Sequence, residues 1–530
     1  MKEVTFDNSG IDISGDNVIT INDASGIVMN NLLINHLGDI SCNDLSVNSI
    51  NNFISTVSGS TTTNPDSWSI SGDKLDNPSG INGEYFGGSI GLSSNGNYLI
   101  VGAERADNNS DVDIGTVSIF EKNNSGNWIQ RGATLIGNGE RDRFGRAVAI
   151  NNDGTVIAIT AIQPGAAPSV SPGKGYLKIY KWNGSTWNKM NSAEDPDATD
   201  AIDEGNSVSD YYGFTVAMND AGTSVAISAQ QFSGSNAGRG YVKVYHWNPT
   251  SPAQWIIDMQ ANLTGGDAYE EFGISLDFDS TGDYLAIGAT CSQLSPSANA
   301  GGFNENGFVK ILKRTKGAND WQTTSWDPVG TNIYLDGNSN TWVQQNKFGS
   351  NVAINGDGTI IAISAIKNNN DLGFVKIYKY DGSSWNQIGS DIISDVTGNN
   401  FGRPSDYTQH HSSIAINSNG NIIAIGAQAA DAGGTLRGVV KNYKWNNGTN
   451  FNSGDWIQSG DNINGDFDIA FFGRNLSLNS DGNYLVIGGG SGTSSTSGLA
   501  YVKSYEFNEG STTIITNKLN CDADLICNNL

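Results

Sequence analysis

The stretch FGRAVAINNDGTVIAITA, Phe144 to Ala161, is written seven times along the chain with variations, and that repetition limits the fold more than any other feature. Each copy reads as a β-hairpin. Here Val148 and Ile150 alternate with Ala147 and Ala149, Asp153-Gly154 supplies a tight turn, and Val156 to Ile159 make an apolar second arm. The turn glycines are Gly96, Gly154, Gly222, Gly282, Gly358, Gly420 and Gly482, spaced by 58, 68, 60, 76, 62 and 62 residues. Ten residues before each stand Phe86, Phe144, Tyr212, Phe272, Phe348, His410 and Phe472, and every one except His410 is an aromatic residue followed by Gly.

Each hairpin is followed by a third run that opens on Gly, such as GYVKVYHW from Gly240, and by a fourth run carrying Trp128, Trp187, Trp255, Trp326, Trp385 or Trp456. A period near 60 residues with four strand signals per unit predicts the blades of a β-propeller. The seventh tryptophan is Trp68, in WSISGDKLD before the first hairpin, which matches WIQSGDNIN at Trp456. The expected fold is therefore all-β: a seven-bladed β-propeller over residues 64–508 with an N-terminal strand closing the last blade. Strand-rich arms flank it, residues 1–63 as a stalk or anchor and residues 509–530 as a tail that pairs with it. Alone, such short polar strands bury too little, so the arms call for stacking on each other, on another copy or on a neighbouring protein.

The repeat F-G-x-x-(V/I)-A-(I/L)-x-x-(D/N)-G, followed by G-x-V-K-(I/V)-Y-x-W and W-x-Q-x-G, resembles FG-GAP-type propeller repeats over about residues 66 to 508. The likeness is to arrays of marine microbes, algae and their viruses. The ISGD and NDLSVN segments of the N-terminal arm resemble fibre and stalk strands in virion proteins of large algal DNA viruses. Integrin-type FG-GAP members carry a D-x-D-x-D-G calcium loop. The corresponding turns here, such as SSNGN and NDAGT, have too few carboxylates for it. No cofactor is expected. Any calcium would have to use Asp111 and Asp113, Asp466 and Asp468, or the acidic run from Ala193.

A net charge of −25 repels phosphate backbones and disfavours anionic membranes, so neither nucleic acid nor membrane insertion is expected. Cys42, Cys291, Cys521 and Cys527 form no CxxC pair, and nothing points to a disulfide scaffold or zinc site. The N-terminus lacks a basic segment followed by an apolar run, which argues against a Sec-type signal peptide; the expectation is a protein made and kept in a cytosol-like compartment, or leaving it by lysis or a dedicated route.

No HExxH, GxSxG or phosphate-loop motif is present, and no enzyme activity is expected. A pair of channel carboxylates with a raised pKa would be the mark of catalysis. The repeated tryptophans read as packing between blades. Outside the repeat, Trp321 and Trp342 in the longest blade, and His410-His411 where blade six departs from the pattern, are the candidate contact residues. The expected function is a structural appendage of a virion, displayed for attachment to a host glycan or surface protein and anchored through residues 1–63 and 509–530 to other virion proteins or to copies of itself. A cellular adhesin or lectin, extracellular or at a cell surface, is the alternative, and a glycan-cleaving enzyme the third.

Overall fold

In the computed structural model the chain divides into two compact units, Ser67–Asn508 and a second made of Met1–Asp66 with Glu509–Leu530. The structure describes residues 65–78, 84–107, 112–164, 173–190, 203–208, 210–230, 238–260, 263–266, 270–290, 307–335, 346–365, 373–394, 401–402, 412–448, 450–489 and 500–510, and strand backbone at 27–29, 32–34, 40–42, 61–64, 293–294, 303–304, 366–367, 372 and 511–514. The smaller unit contains an antiparallel three-stranded sheet, Ile27–Met29, Leu32–Ile34 and Ile40–Cys42, and a pairing of Thr61–Asn64 with Ser511–Ile514.

The larger unit is a seven-bladed β-propeller of antiparallel sheets. Blade two shows the plan: an inner strand Val148–Ile150, then Val156–Ala161, Tyr176–Trp182 and Trp187–Lys189. A short fifth segment, Asp203–Glu204, also pairs with the third strand. The outer strand is thus broken in two, where the sequence pattern shows one run. The break is the W-x-Q-x-G signature. Gly132 there has φ +82°, and a Cβ on it would lie 2.9 Å from the Trp182 ring and 3.0 Å from the Trp187 ring of the next blade. Trp187 Nε1 donates to the Arg131 carbonyl at 2.9 Å, and Trp385 Nε1 to the Val329 carbonyl at 2.8 Å. The repeated tryptophans therefore tie blade to blade, as their recurrence implies.

Closure follows the expectation. Ser67–Ile70 pairs with Tyr501–Asn508 in blade seven, with Trp68 opposite Phe507 and their rings 5.2 Å apart. Among the described residues seven apolar clusters occur, each shared by two adjacent blades; Ile100 and Ile119 of blade one, for example, pack on Phe144 and Ile157 of blade two. The core is thus a ring of interfaces.

The turns explain their own sequence. In six blades the first residue of the turn, such as Asn151, uses its side-chain oxygen to accept the N–H groups of the residues four and five places on, Thr155 at 2.8 Å and Val156 at 2.9 Å. Asn219, Asp279, Asn355, Asn417 and Asn479 do the same in their blades. The Asx position is a cap on the hairpin.

Blade six corrects one sequence assignment. Phe401 bridges to Ala427, and Gly402 N–H donates to the Gly426 carbonyl at 2.7 Å, the bond that Gly145 makes to Thr160 in blade two. Phe401-Gly402, not His410-His411, therefore holds the Phe-Gly position. Counting back from Gly420 misplaced it because residues 403–411 are inserted before the inner strand Ile414–Ile416.

Candidate functional site

The inner strands of all seven blades enclose a central cavity of about 270 Å³. At the hairpin-turn end a belt of backbone hydrogen bonds links the blades: Asn152 to Asp220, Asp220 to Ser280, Ser280 to Gly356, Gly356 to Ser418, Ser418 to Ser480 and Ser480 to Ser94, at 2.9–3.2 Å. At the Phe-Gly end side chains do this work. Ser89 Oγ donates to the Gly145 carbonyl at 2.7 Å, Ser275 Oγ to Gly349 at 2.8 Å and Asn351 Nδ2 to Gly402 at 3.2 Å.

Midway along the inner strands the equivalent positions are Gly91, Ala149, Ala217, Asp277, Ala353, Ala415 and Ser477. Six are small and one is a carboxylate. Asp277 is half-buried in the cavity wall and accepts the Ile354 N–H of the next blade at 2.8 Å. Burial pushes its pKa up to about 7, aided by repulsion from Asp279 and Asp220 and opposed by the N–H groups of Ile354 and Phe278. Burial also raises Asp220, which accepts the Ser94 hydroxyl, and Asp279, whose oxygens are taken by the Asp283 and Tyr284 N–H groups and the Thr281 hydroxyl. These three aspartates are the titratable groups among the described residues of the lining. Asp277 is the one of the three that stands midway along an inner strand.

A second constellation has the composition of a nucleophilic triad. Ser224 Oγ lies 2.9 Å from His246 Nδ1, and His246 Nε2 lies 3.1 Å from Asp258 Oδ2, which also accepts Trp326 Nε1 at 2.9 Å. All three members are buried: 2% exposed for Ser224, 1% for His246 and 8% for Asp258. None of them lines the central cavity. The network is a buried strut between blades three and four. Sequence reading passed over His246 because it sits within the third-strand repeat, in VYHW, where the other blades carry Lys or Glu.

Burial lowers the His246 pKa, with Asp258 opposing. A histidine depressed in the folded state favours unfolding once protonated, so its contribution is present above the unfolded value of about 6.5 and is lost as pH falls below it. His246→Gln is expected to flatten the loss of melting temperature between pH 7 and pH 5, checked by calorimetry.

The two faces of the disc differ. Connections on the hairpin-turn face are short, such as 151–155 and 183–186, whereas those on the Phe-Gly face include 162–175, 230–240, 290–307, 335–347 and 394–413. Trp321 adjoins the strand Thr323–Pro328 in blade four. Trp321 is half-buried at an outer hairpin tip. Trp342, His410 and His411 lie outside the described residues. The aspartates considered for calcium are engaged elsewhere: Asp113 with Arg141 at 3.6 Å, Asp468 with Arg437 at 2.8 Å and Asp466 with Lys503. Asp111 and residues 193–202 lie outside the described residues.

No protein-family model matches this sequence. No curated protein matches it either. Among solved structures, the chain is similar to hydrazine synthase of Kuenenia stuttgartiensis, at 10% identity over 79% of this chain and 95% of that one, with a TM-score of 0.43. It is also similar to the periplasmic gluconolactonase of Pseudomonas aeruginosa, at 10% identity over 71% and 88%, TM-score 0.41. The Dos1 propeller aligns at 10% identity over 84% and 95%, TM-score 0.36. Likenesses this distant carry nothing about what the chain binds.

Proposed function

We propose that the protein is a non-enzymatic appendage of a virion that presents the propeller for attachment to a host-surface glycan or protein. The observation that carries the binding reading is the inequality of the two faces: the turns of one are short and linked by six backbone hydrogen bonds, and the strand ends at the other are joined by longer, unequal stretches of chain. Residues 1–63 and 509–530 are the anchoring elements in this reading, which their likeness to fibre strands supports. A virion-surface location follows from the same likeness, with an extracellular or cell-surface adhesin as the alternative.

Light scattering of the full chain beside residues 64–510 tests the anchoring role. A trimer or larger for the full chain with a monomer for the shorter one is the expected result. Two monomers would sink the stalk and leave a free adhesin or lectin, to be pursued on glycan arrays.

A glycan-cleaving activity is the second reading, and Asp277 favours it, since a carboxyl with a pKa near neutrality in a cavity is a candidate acid or base. Release of reducing ends from algal polysaccharides by the wild type, abolished in Asp277→Asn, would establish turnover in place of attachment.

A further inference from the structure

Asp277 and its six small counterparts are each followed by a residue whose N–H lies on the free edge of the inner strand. In blade six Ser413 bonds across to Gly426 and Asn417 to Ile422, and this alternation turns the Ile416 N–H away from its own sheet. Two of these edge groups are met by a side chain of the preceding blade: Leu92 N–H donates to Ser477 Oγ at 3.2 Å, and Ile354 N–H to Asp277 Oδ2 at 2.8 Å. Asp277 also accepts the N–H of its own neighbour, Phe278.

The other four, on Ile150, Met218, Ile416 and Leu478, are preceded by blades that offer Gly91, Ala149, Ala353 and Ala415 at the matching place. That place does look onto the next blade, for a Cβ on Gly91 would lie 3.4 Å from Ile150 Cγ2. A glycine or alanine brings no acceptor, and these four N–H groups have none among the described residues. All four residues line the central cavity. Backbone donors left unmet are costly, so water or a ligand in the cavity has to bring oxygen to them.

The same wall selects by charge. Asp277, Asp220 and Asp279 line it, and no Lys, Arg or His stands among its described residues. With a chain charge of −25 behind them, these carboxylates draw in a cation and repel an anion. A cation beside Asp277 would also offset the burial that holds its carboxyl at about 7. The cavity, about 270 Å³, has the size of a small-ligand site at its lower limit. It reaches the hairpin-turn end, where Ser94, Asp220, Ser280, Ser418 and Ser480 line it and remain partly exposed, which gives a ligand a way in. The ligand that suits such a wall carries one positive charge for Asp277 and several oxygens for the edge N–H groups.

We propose that the central cavity binds one amino sugar, its ammonium on the Asp277 carboxylate and its hydroxyl oxygens on the unmet N–H groups of the same ring. The site rests on neither the attachment nor the cleavage reading, since a free sugar fills the cavity in either case.

Isothermal titration of the full chain at pH 6.5 with glucosamine, against N-acetylglucosamine and glucose, tests it. Glucosamine is expected to bind with Kd on the order of 1 mM, and the two neutral sugars about tenfold more weakly. Because an ammonium favours the ionised carboxyl, binding should release part of a proton, read from the heats in buffers of different ionisation enthalpy. Asp277→Asn should weaken glucosamine about tenfold and abolish that release, whereas Asp220 and Asp279, the other titratable groups of the described lining, keep theirs in both proteins. Ala415→Ser, which offers the Leu478 N–H a hydroxyl as Ser477 does for Leu92, should weaken glucosamine severalfold with the proton release intact. Circular dichroism melts confirm that each variant folds. Equal affinity for glucosamine and glucose, or for wild type and Asp277→Asn, would overturn the assignment. Absence of any glucosamine binding would overturn it too and leave water as the filling of the cavity. If glycans bind elsewhere on the propeller while glucosamine does not enter, this inference alone fails and the attachment reading stands.

Discussion

A chain running from residue 78 to 508 is expected to lose cooperative folding, whereas one running from 67 to 508 keeps it. The shorter chain lacks Ser67–Ile70 and Leu75–Asp76, the two outer segments of blade seven. Their removal bares the edge of Tyr501–Asn508, takes away the Trp68–Phe507 contact, and breaks the Ser71 N–H bond to the Ser504 carbonyl at 2.9 Å and the Asn77 N–H bond to the Ala500 carbonyl at 3.0 Å. Half a dozen net backbone hydrogen bonds at about 1 kcal/mol each, with the apolar contact added, amount to roughly 6–8 kcal/mol. A domain stable by about 5–15 kcal/mol has little left after that loss. The exposed strand is also a template for pairing with another chain. Far-ultraviolet circular dichroism melts and light scattering check both effects. A monomeric 78–508 chain melting within two or three degrees of the longer one would show that closure matters little.

The sequence and the structure agree where a contact repeats. Phe-Gly, the Asx-x-x-Gly turn of six blades and the tryptophan of the outer strand recur because each fills the same local place from blade to blade, so the copies print the rule. The Asx residue is instructive, since its likeness to a depleted calcium loop hides a capping role that only the Asn151 bonds to Thr155 and Val156 reveal. Legibility fails where a blade departs from the rule. The insertion at 403–411 breaks a fixed offset, and His410-His411 were assigned the place that Phe401-Gly402 fill. The buried pairing of Arg146 with Glu104 is not legible at all, because the two stand in different blades and meet only through the fold. Asp277 is different again: aligning the seven hairpins sets it among glycine, alanine and serine, which is a signal available from sequence, although its burial is not.

Replacing Asp277 by Ala is expected to stabilise the protein at pH 9 and to leave it unchanged or slightly weaker at pH 4. The sign follows from the direction of the shift. A carboxyl held at about 7 in the folded chain, against about 3.9 when unfolded, keeps its proton better in the native state. The contribution of Asp277 to native stability is therefore greatest below pH 4 and falls as pH rises to about 7, beyond which the full penalty of an ionised group in the cavity wall applies. Three units correspond to about 4 kcal/mol, an upper figure because cavity water reaches the half-buried side chain. The lost hydrogen bond from Ile354 N–H subtracts about 1 kcal/mol. For a propeller of this length the net gain is a rise of a few degrees in melting temperature at pH 9. His246 acts with the opposite sign in an overlapping range, so the wild-type profile is composite, and only the paired variants His246→Gln and Asp277→Ala separate the two slopes. An unchanged melting temperature for Asp277→Ala at pH 9 would mean that the carboxylate is solvated or partnered when ionised. A gain in stability accompanied by loss of binding or turnover would mark Asp277 as a group kept for function at the expense of the fold, since the six equivalent positions in the ring do without a carboxylate.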